Sequence, residues 1–86
     1  MDKYKIAKEV GLRCAIARQN AKFSQKDMAR MLHTTQQNIS YFENGENNSV
    51  HLLVGYIAIC PNMRPFFEYV LKIQKEIEDE TNSRIH

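Results

Sequence analysis

Residues Ser24–Gly45 read SQKDMARMLHTTQQNISYFENG, and the fold turns on this stretch. Ser24 is a good helix N-cap, and Asp27 stands three residues on, a capping box with Asp in place of the usual Glu or Gln. Phe23 and Met28 occupy the hydrophobic-staple positions around that cap. The spacing predicts a short helix, Gln25 to about Leu32, with Met28, Ala29 and Leu32 facing inward. His33-Thr34-Thr35 breaks the pattern. Thr35 then caps a second short helix, Gln36 to about Phe42 or Asn44. Ile39 and Phe42 point inward; Gln36, Gln37, Ser40 and Tyr41 point outward, with Asn38 beside them. Asn44-Gly45 ends it, since glycine tolerates the left-handed cap conformation. Two short helices joined by a tight turn have the dimensions of a helix-turn-helix.

The flanking chain is helical too. Apolar residues recur at intervals of three and four nearly everywhere, and no alternating strand pattern of useful length occurs. A first helix is expected from about Lys3 to Ala21, with an inward stripe of Ile6, Val10, Cys14 and Ala17. Leu12 and Ile16 fall on another face, where a partner subunit would touch. Ser49 caps a fourth helix, Val50 to Ile59, with Val50, Leu53, Val54, Ile57 and Cys60 inward, and Pro61 stops it. Asn62 is the expected cap of a fifth helix with Pro65 in its first turn. Phe66, Val70, Ile73 and Ile77 line one face of it, widened by Phe67 and Leu71, and its polar end from Glu76 to Glu80 is expected to fray. The sequence thus predicts an all-α, five-helix single domain over residues 1–86: a core over 1–60 and a C-terminal helix over 61–86.

Composition narrows the function classes. A chain of 86 residues buries only about 60% of the surface its unfolded form exposes, so the core is small. Cys14 and Cys60 are too few for a disulfide scaffold and read as buried free thiols in a reducing compartment. No signal-peptide or membrane-length apolar run occurs, so a cytoplasmic protein is expected. His33, His51 and His86 have no metal-ligand spacing. There is no Ser/His/Asp arrangement, glycine-rich phosphate loop or paired-carboxylate pocket. No cofactor, metal or catalytic residue is expected, and an enzyme is the least expected class. The net charge of +2 is uneven: residues 76–86 hold four acids and one base, and residues 1–75 hold 11 bases and 6 acids. A mildly basic body suits a polyanion, although many small domains of that charge bind none.

The outer face of the third helix carries the chemistry. It offers amides, hydroxyls and a phenol, with no acid or base before Glu43. Gln pairs with adenine through two hydrogen bonds, and a Thr methyl packs on a thymine methyl. Neutral groups of this kind discriminate among bases rather than adhere to phosphate.

The stretch resembles the helix-turn-helix of phage repressors of the Cro and cI type, the XRE-like family. Ser24-Gln25, Met28-Ala29, Leu32, Ile39-Ser40 and Glu43-Asn44-Gly45 match at their offsets. The Thr34-Thr35-Gln36-Gln37 run with Glu43-Asn44-Gly45 is especially similar to the repressor of phage 434. The resemblance covers about Val10 to Cys60. It implies that Thr35, Gln36, Gln37 and Tyr41 face bases. It places Gln25, Lys26, Asn38, Ser40, Asn44 and Asn47 toward phosphates, and makes Arg18 and Glu43 an internal ion pair. Three positions depart from pattern. Glu46 is acidic where the family usually has Lys or Arg, so weaker nonspecific binding is expected, or compensation by a base such as Lys26 or Arg13. Tyr41 replaces a residue that is often Gln or Arg. His33 takes the usual glycine place in the turn, which requires a left-handed backbone there.

The resulting expectation is a regulator of transcription binding double-stranded DNA, a dimeric repressor reading a palindromic operator. Phe66, Phe67, Val70, Ile73 and Ile77 are the expected dimerisation residues. An antitoxin or a restriction–modification controller would use the same module, with a toxin or RNA polymerase as protein partner. A protein–protein interaction module that has lost DNA binding is the reading favoured by Glu46 and the weak charge; the Thr-Thr-Gln-Gln run opposes it. The acidic cluster at 76–80 reads as a solvated helix end rather than a cation site.

Overall fold

A computed structural model describes residues 3–85. His86 lies outside the described residues, as do Met1 and Asp2. Five helices follow in order: α1 (Lys3–Asn20), α2 (Gln25–Met31), α3 (Gln36–Glu43), α4 (Val50–Ile59) and α5 (Arg64–Ile85). No strand is present among the described residues. The fold is all-α, as the periodicity predicts.

The turns explain why the elements are so short. The first three helices all end the same way, with one residue in the left-handed region: Lys22 at φ 66°, His33 at φ 54° and Gly45 at φ 82°. In each case the following amide closes back over the last turn. Phe23 N–H donates to the Arg18 carbonyl at 3.2 Å, Thr34 N–H to Ala29 at 2.9 Å and Glu46 N–H to Tyr41 at 2.8 Å. These are Schellman closures, which satisfy carbonyls left without helical partners. Next come the N-caps. Ser24, Thr35 and Ser49 each accept from the amide three residues on, at 3.0, 3.1 and 3.1 Å. So Lys22-Phe23-Ser24 and His33-Thr34-Thr35 are the same three-residue corner used twice. His33 adopts the left-handed backbone expected of it; Lys22 does so with no residue-type signal.

The capping box at α2 is complete, since the Asp27 carboxylate also accepts from Ser24 N–H at 2.9 Å. That backbone hydrogen bond, with the Ser24 hydroxyl and Arg30, holds the Asp27 carboxyl below its ordinary range. A depressed carboxyl stabilises the fold above its unfolded-state pKa, and the contribution is lost as pH falls through the folded-state value.

The core gathers Cys14, Ala17, Met28, Ile39, Phe42, Leu52, Tyr56 and Cys60, with Met63 and Phe66 from the last connection and helix. Gly11 is buried where α1 crosses the end of α3. A Cβ there would lie 2.5 Å from the carbonyl oxygens of both Phe42 and Glu43, so only glycine allows this crossing. Cys14 and Cys60 are buried free thiols, and burial pushes Cys14 up to about 12 and Cys60 upward.

Three sequence readings change. In α4, Leu52 and Tyr56 are buried, whereas Val50, Val54 and Ile57 are exposed. The helix is apolar nearly all round, so hydrophobicity alone does not fix its rotation; the Tyr56 hydroxyl does, because it needs a buried partner. In α5 the helix begins at Arg64, so Asn62 is not its cap, and it runs on to Ile85, helical through the Glu76–Glu80 stretch expected to fray. Its buried face is Phe66 and Tyr69, with Ile73 half-buried. Phe66 belongs to the chain's own core, so of the five expected dimerisation residues Phe67, Val70 and Ile77 remain exposed. Helix α5 packs antiparallel on α1, along a seam lined by Lys5, Glu9 and Arg13 on one side and Tyr69, Lys72 and Glu76 on the other.

Gly11→Ala is expected to lower stability by about 2 kcal/mol or more, because backbone at the crossing must move; urea unfolding measures it. His33→Val is expected to lose about 1–2 kcal/mol while His33→Gly loses nothing, through the same measurement.

Candidate nucleic-acid interface

What presents α3 is a buried polar cluster centred on Glu43. Arg18 Nε donates to Glu43 Oε2 at 2.7 Å and Arg18 Nη2 to Oε1 at 3.1 Å, a two-pronged pair. Tyr56 Oη donates to Oε2 at 2.6 Å, and Gln25 Nε2 to Oε1 at 3.0 Å. Arg18 Nη1 adds a bond to the Phe23 carbonyl at 2.8 Å. One carboxylate therefore ties α1, α2, α3 and α4 together. Residues Arg18 and Glu43 are each only 8% exposed, so nearly all their former water contacts are replaced by these bonds. The Glu43 hydrogen bond holds the Arg18 guanidinium above its ordinary range. Burial, with the bond to Glu43, drives the Tyr56 phenol upward, so it stays a donor. The pairing of Arg18 with Glu43 was legible in the sequence; the part of Tyr56 and Gln25 was not.

With α3 fixed by its inner residues Ile39, Phe42 and Glu43, its other side faces solvent. Gln36, Gln37, Asn38 and Tyr41 are exposed and Ser40 is half-buried. At 100° per residue Gln37 and Tyr41 stand at the centre of that face, with Gln36 and Ser40 along one edge. Gln37 Nε2 donates to Tyr41 Oη across one turn, which holds the amide in an extended pose. A second Nε2 proton and the amide oxygen remain for a base edge. Thr35 uses a hydroxyl lone pair to cap α3, and its O–H and methyl stay outward. The Asn38 amide is tied to Thr34 Oγ1 at 3.0 Å.

The remaining predicted residues divide. Lys26 is exposed at the start of α2, and Asn44 is exposed where it caps α3. Asn47 is half-buried against a groove shared with Lys3, Ile6 and Val50. The Gln25 side chain is turned inward to Glu43, so its amide serves the cluster and only its backbone faces out. Arg13 pairs with Glu9 at 3.5 Å and lies over the Tyr69 ring. It sits in the α1–α5 seam and does not compensate Glu46. Lys8 was missed in the sequence: its backbone lies against Gly45, which brings an exposed cation beside the acidic loop. No spacing within one helix could have revealed that contact.

Residues 15–49 match the helix-turn-helix family model. That span covers the second half of α1, the two corners, α2, α3 and the loop to Ser49. Over this span the chain is similar to helix-turn-helix modules. Such a module marks a DNA-binding regulator of transcription, and double-stranded DNA is the partner that it implies. Comparison with curated proteins and with solved structures gave no match. Among the described residues, no helix is long and apolar enough to cross a membrane.

Glu43→Ala and Arg18→Ala are each expected to lower stability by about 3–5 kcal/mol, since the partner charge is left buried and unpaired. Tyr56→Phe is expected to lose about 1.5–3 kcal/mol. Denaturant unfolding of the single and double variants gives a coupling energy; additive losses would remove the cluster from this role.

Proposed function

We propose that the protein is a dimeric repressor that reads a two-fold-symmetric operator in the major groove through the outer face of α3. The observation carrying this reading is a buried-anchored helix whose exposed face is neutral and amide-rich, in a helix-turn-helix setting. Gln36 and Gln37 supply amides for adenine edges, Thr35 a methyl and a hydroxyl, and Tyr41 a phenol that also steadies Gln37. The match of residues 15–49 to the helix-turn-helix family model supports the setting of this face.

Around this centre, Lys26, Asn38, Ser40, Asn44, Asn47 and the backbone of Gln25 take the flanking phosphates, with Lys8 offsetting Glu46. Such contacts set register and orientation, whereas base edges set sequence. With few cations in the footprint, counterion release supplies less affinity than in strongly basic binders. Dimerisation then raises affinity by doubling the footprint. Two recognition helices about 34–36 Å apart meet successive major grooves on one face of the duplex.

Gln36→Ala and Gln37→Ala are each expected to weaken binding to the preferred duplex by about 1–3 kcal/mol and leave nonspecific binding nearly unchanged. Fluorescence anisotropy titrations on preferred and scrambled duplexes measure both. Folded variants with unchanged affinity and unchanged sequence preference would overturn the assignment. Lys8→Gln is expected to weaken both duplexes alike and to lower the slope of log K against log salt by about 1.

A further inference from the structure

Helix α5 is longer than the body that it packs on. Its seam with α1 ends near Glu76 and Lys5, and from Ile77 to Arg84 every residue is exposed. A short run of helix with no tertiary support is marginal in water. Its unburied side is not polar. Phe67, Val70, Leu71 and Ile77 are 52%, 40%, 63% and 50% exposed. Phe67, Val70 and Ile77, with Gln74 and Thr81, repeat at alternating steps of three and four, the pattern of a helix-pairing seam, and Leu71 flanks them. The centre of this stripe lies about 100° around the helix from the Phe66–Tyr69 face that meets α1.

We infer that this stripe is covered by α5 of a second copy of the chain, running antiparallel, with the two-fold axis passing between Gln74 and Ile77. The inference rests on the dimer reading above and adds to it the surface and the direction of pairing. Charge decides the direction. Residues 64–75 carry three bases and one acid, whereas residues 76–80 carry four acids and no base. Parallel pairing sets those acidic turns side by side, with Glu78 on the edge of the stripe level with its own copy. Antiparallel pairing about this axis brings Glu78 close to Lys75 of the second copy, on the same edge, and does so twice by symmetry. Like charges placed opposite are unfavourable, and opposite charges at flanking positions set partner orientation. Pairing also supports the overhanging turns, since each copy's last turns lie along the other's Val70 and Phe67.

The test combines sedimentation with disulfide trapping. Leu71→Asp and Ile77→Asp, both at exposed positions, are expected to keep their helical circular dichroism and raise the dimer dissociation constant about a hundred-fold. Glu78→Lys alone is expected to raise it about five-fold, and Glu78→Lys with Lys75→Glu to restore it. For trapping, a mixture of Val70→Cys and Thr81→Cys chains forms a crossed disulfide, whereas Thr81→Cys alone does not link. Cys14 and Cys60, buried and held as thiols, stay out of the exchange. Wild-type protein that is monomeric at all concentrations would overturn the dimer reading and this inference together. A dimer indifferent to Leu71→Asp and Ile77→Asp would overturn this inference and leave the dimer reading standing. Ready linking of Thr81→Cys to itself, or a Glu78→Lys dimer as tight as wild type, would overturn the antiparallel order.

Discussion

The carboxylate of Glu43 is the point on which the rest of the structure depends. It accepts from Arg18 on α1, Gln25 on α2 and Tyr56 on α4 while belonging to α3. A buried charge with fewer partners would be expensive to desolvate, and this one has four hydrogen bonds. The consequence is geometric. Three of these partners come from different helices, so the rotation of α3 about its axis is fixed from inside. The face opposite Glu43 is thereby aimed outward. In a helix of eight residues no internal feature could do this.

Close approach serves the same end. Gly11 lets the backbone of α1 rest on the last carbonyls of α3, and Arg18 lies two turns further along α1. The two contacts hold α3 at its end, leaving its first turn, with Thr35, Gln36 and Gln37, clear of the body. The corner before it is rigid through hydrogen bonds and not through bulk, since Thr34 closes α2 and Thr35 opens α3. A short helix held between two such corners has little conformational freedom left to lose on binding a partner.

How much of this was legible in the sequence varied with the physics involved. Caps at Ser24, Thr35 and Ser49 were readable because hydroxyls at helix starts have a local role. The helix-turn-helix and the Arg18–Glu43 pair were readable because their offsets match a known pattern. The inward face of α4 was not, because VHLLVGYIAI offers apolar residues in every direction and the decision falls to one phenol. The left-handed Lys22 was hidden because a lysine carries no signal for that backbone. Lys8 and Gly11 matter only through contacts some 30 residues away in sequence, which no periodicity records. On α5 the stripe was visible, but the buried side lies to one edge of it: Phe66 turns inward and Phe67, Leu71 and Ile77 turn out.

The function proposed above is sequence reading with modest electrostatic help. In that proposal a neutral, amide-bearing face discriminates among bases, polar groups with Lys8 and Lys26 set the register, and a two-fold dimer supplies the remaining affinity. The most direct measurement of this account is selection by the purified protein from a library of random duplex DNA, followed by sequencing of the retained fraction. The expected result is enrichment of an inverted repeat whose half-site centres are one helical turn apart, with the preference lost at specific base pairs on Gln36→Ala or Gln37→Ala. Retention without any enriched sequence, or an enriched sequence untouched by both substitutions, would contradict it.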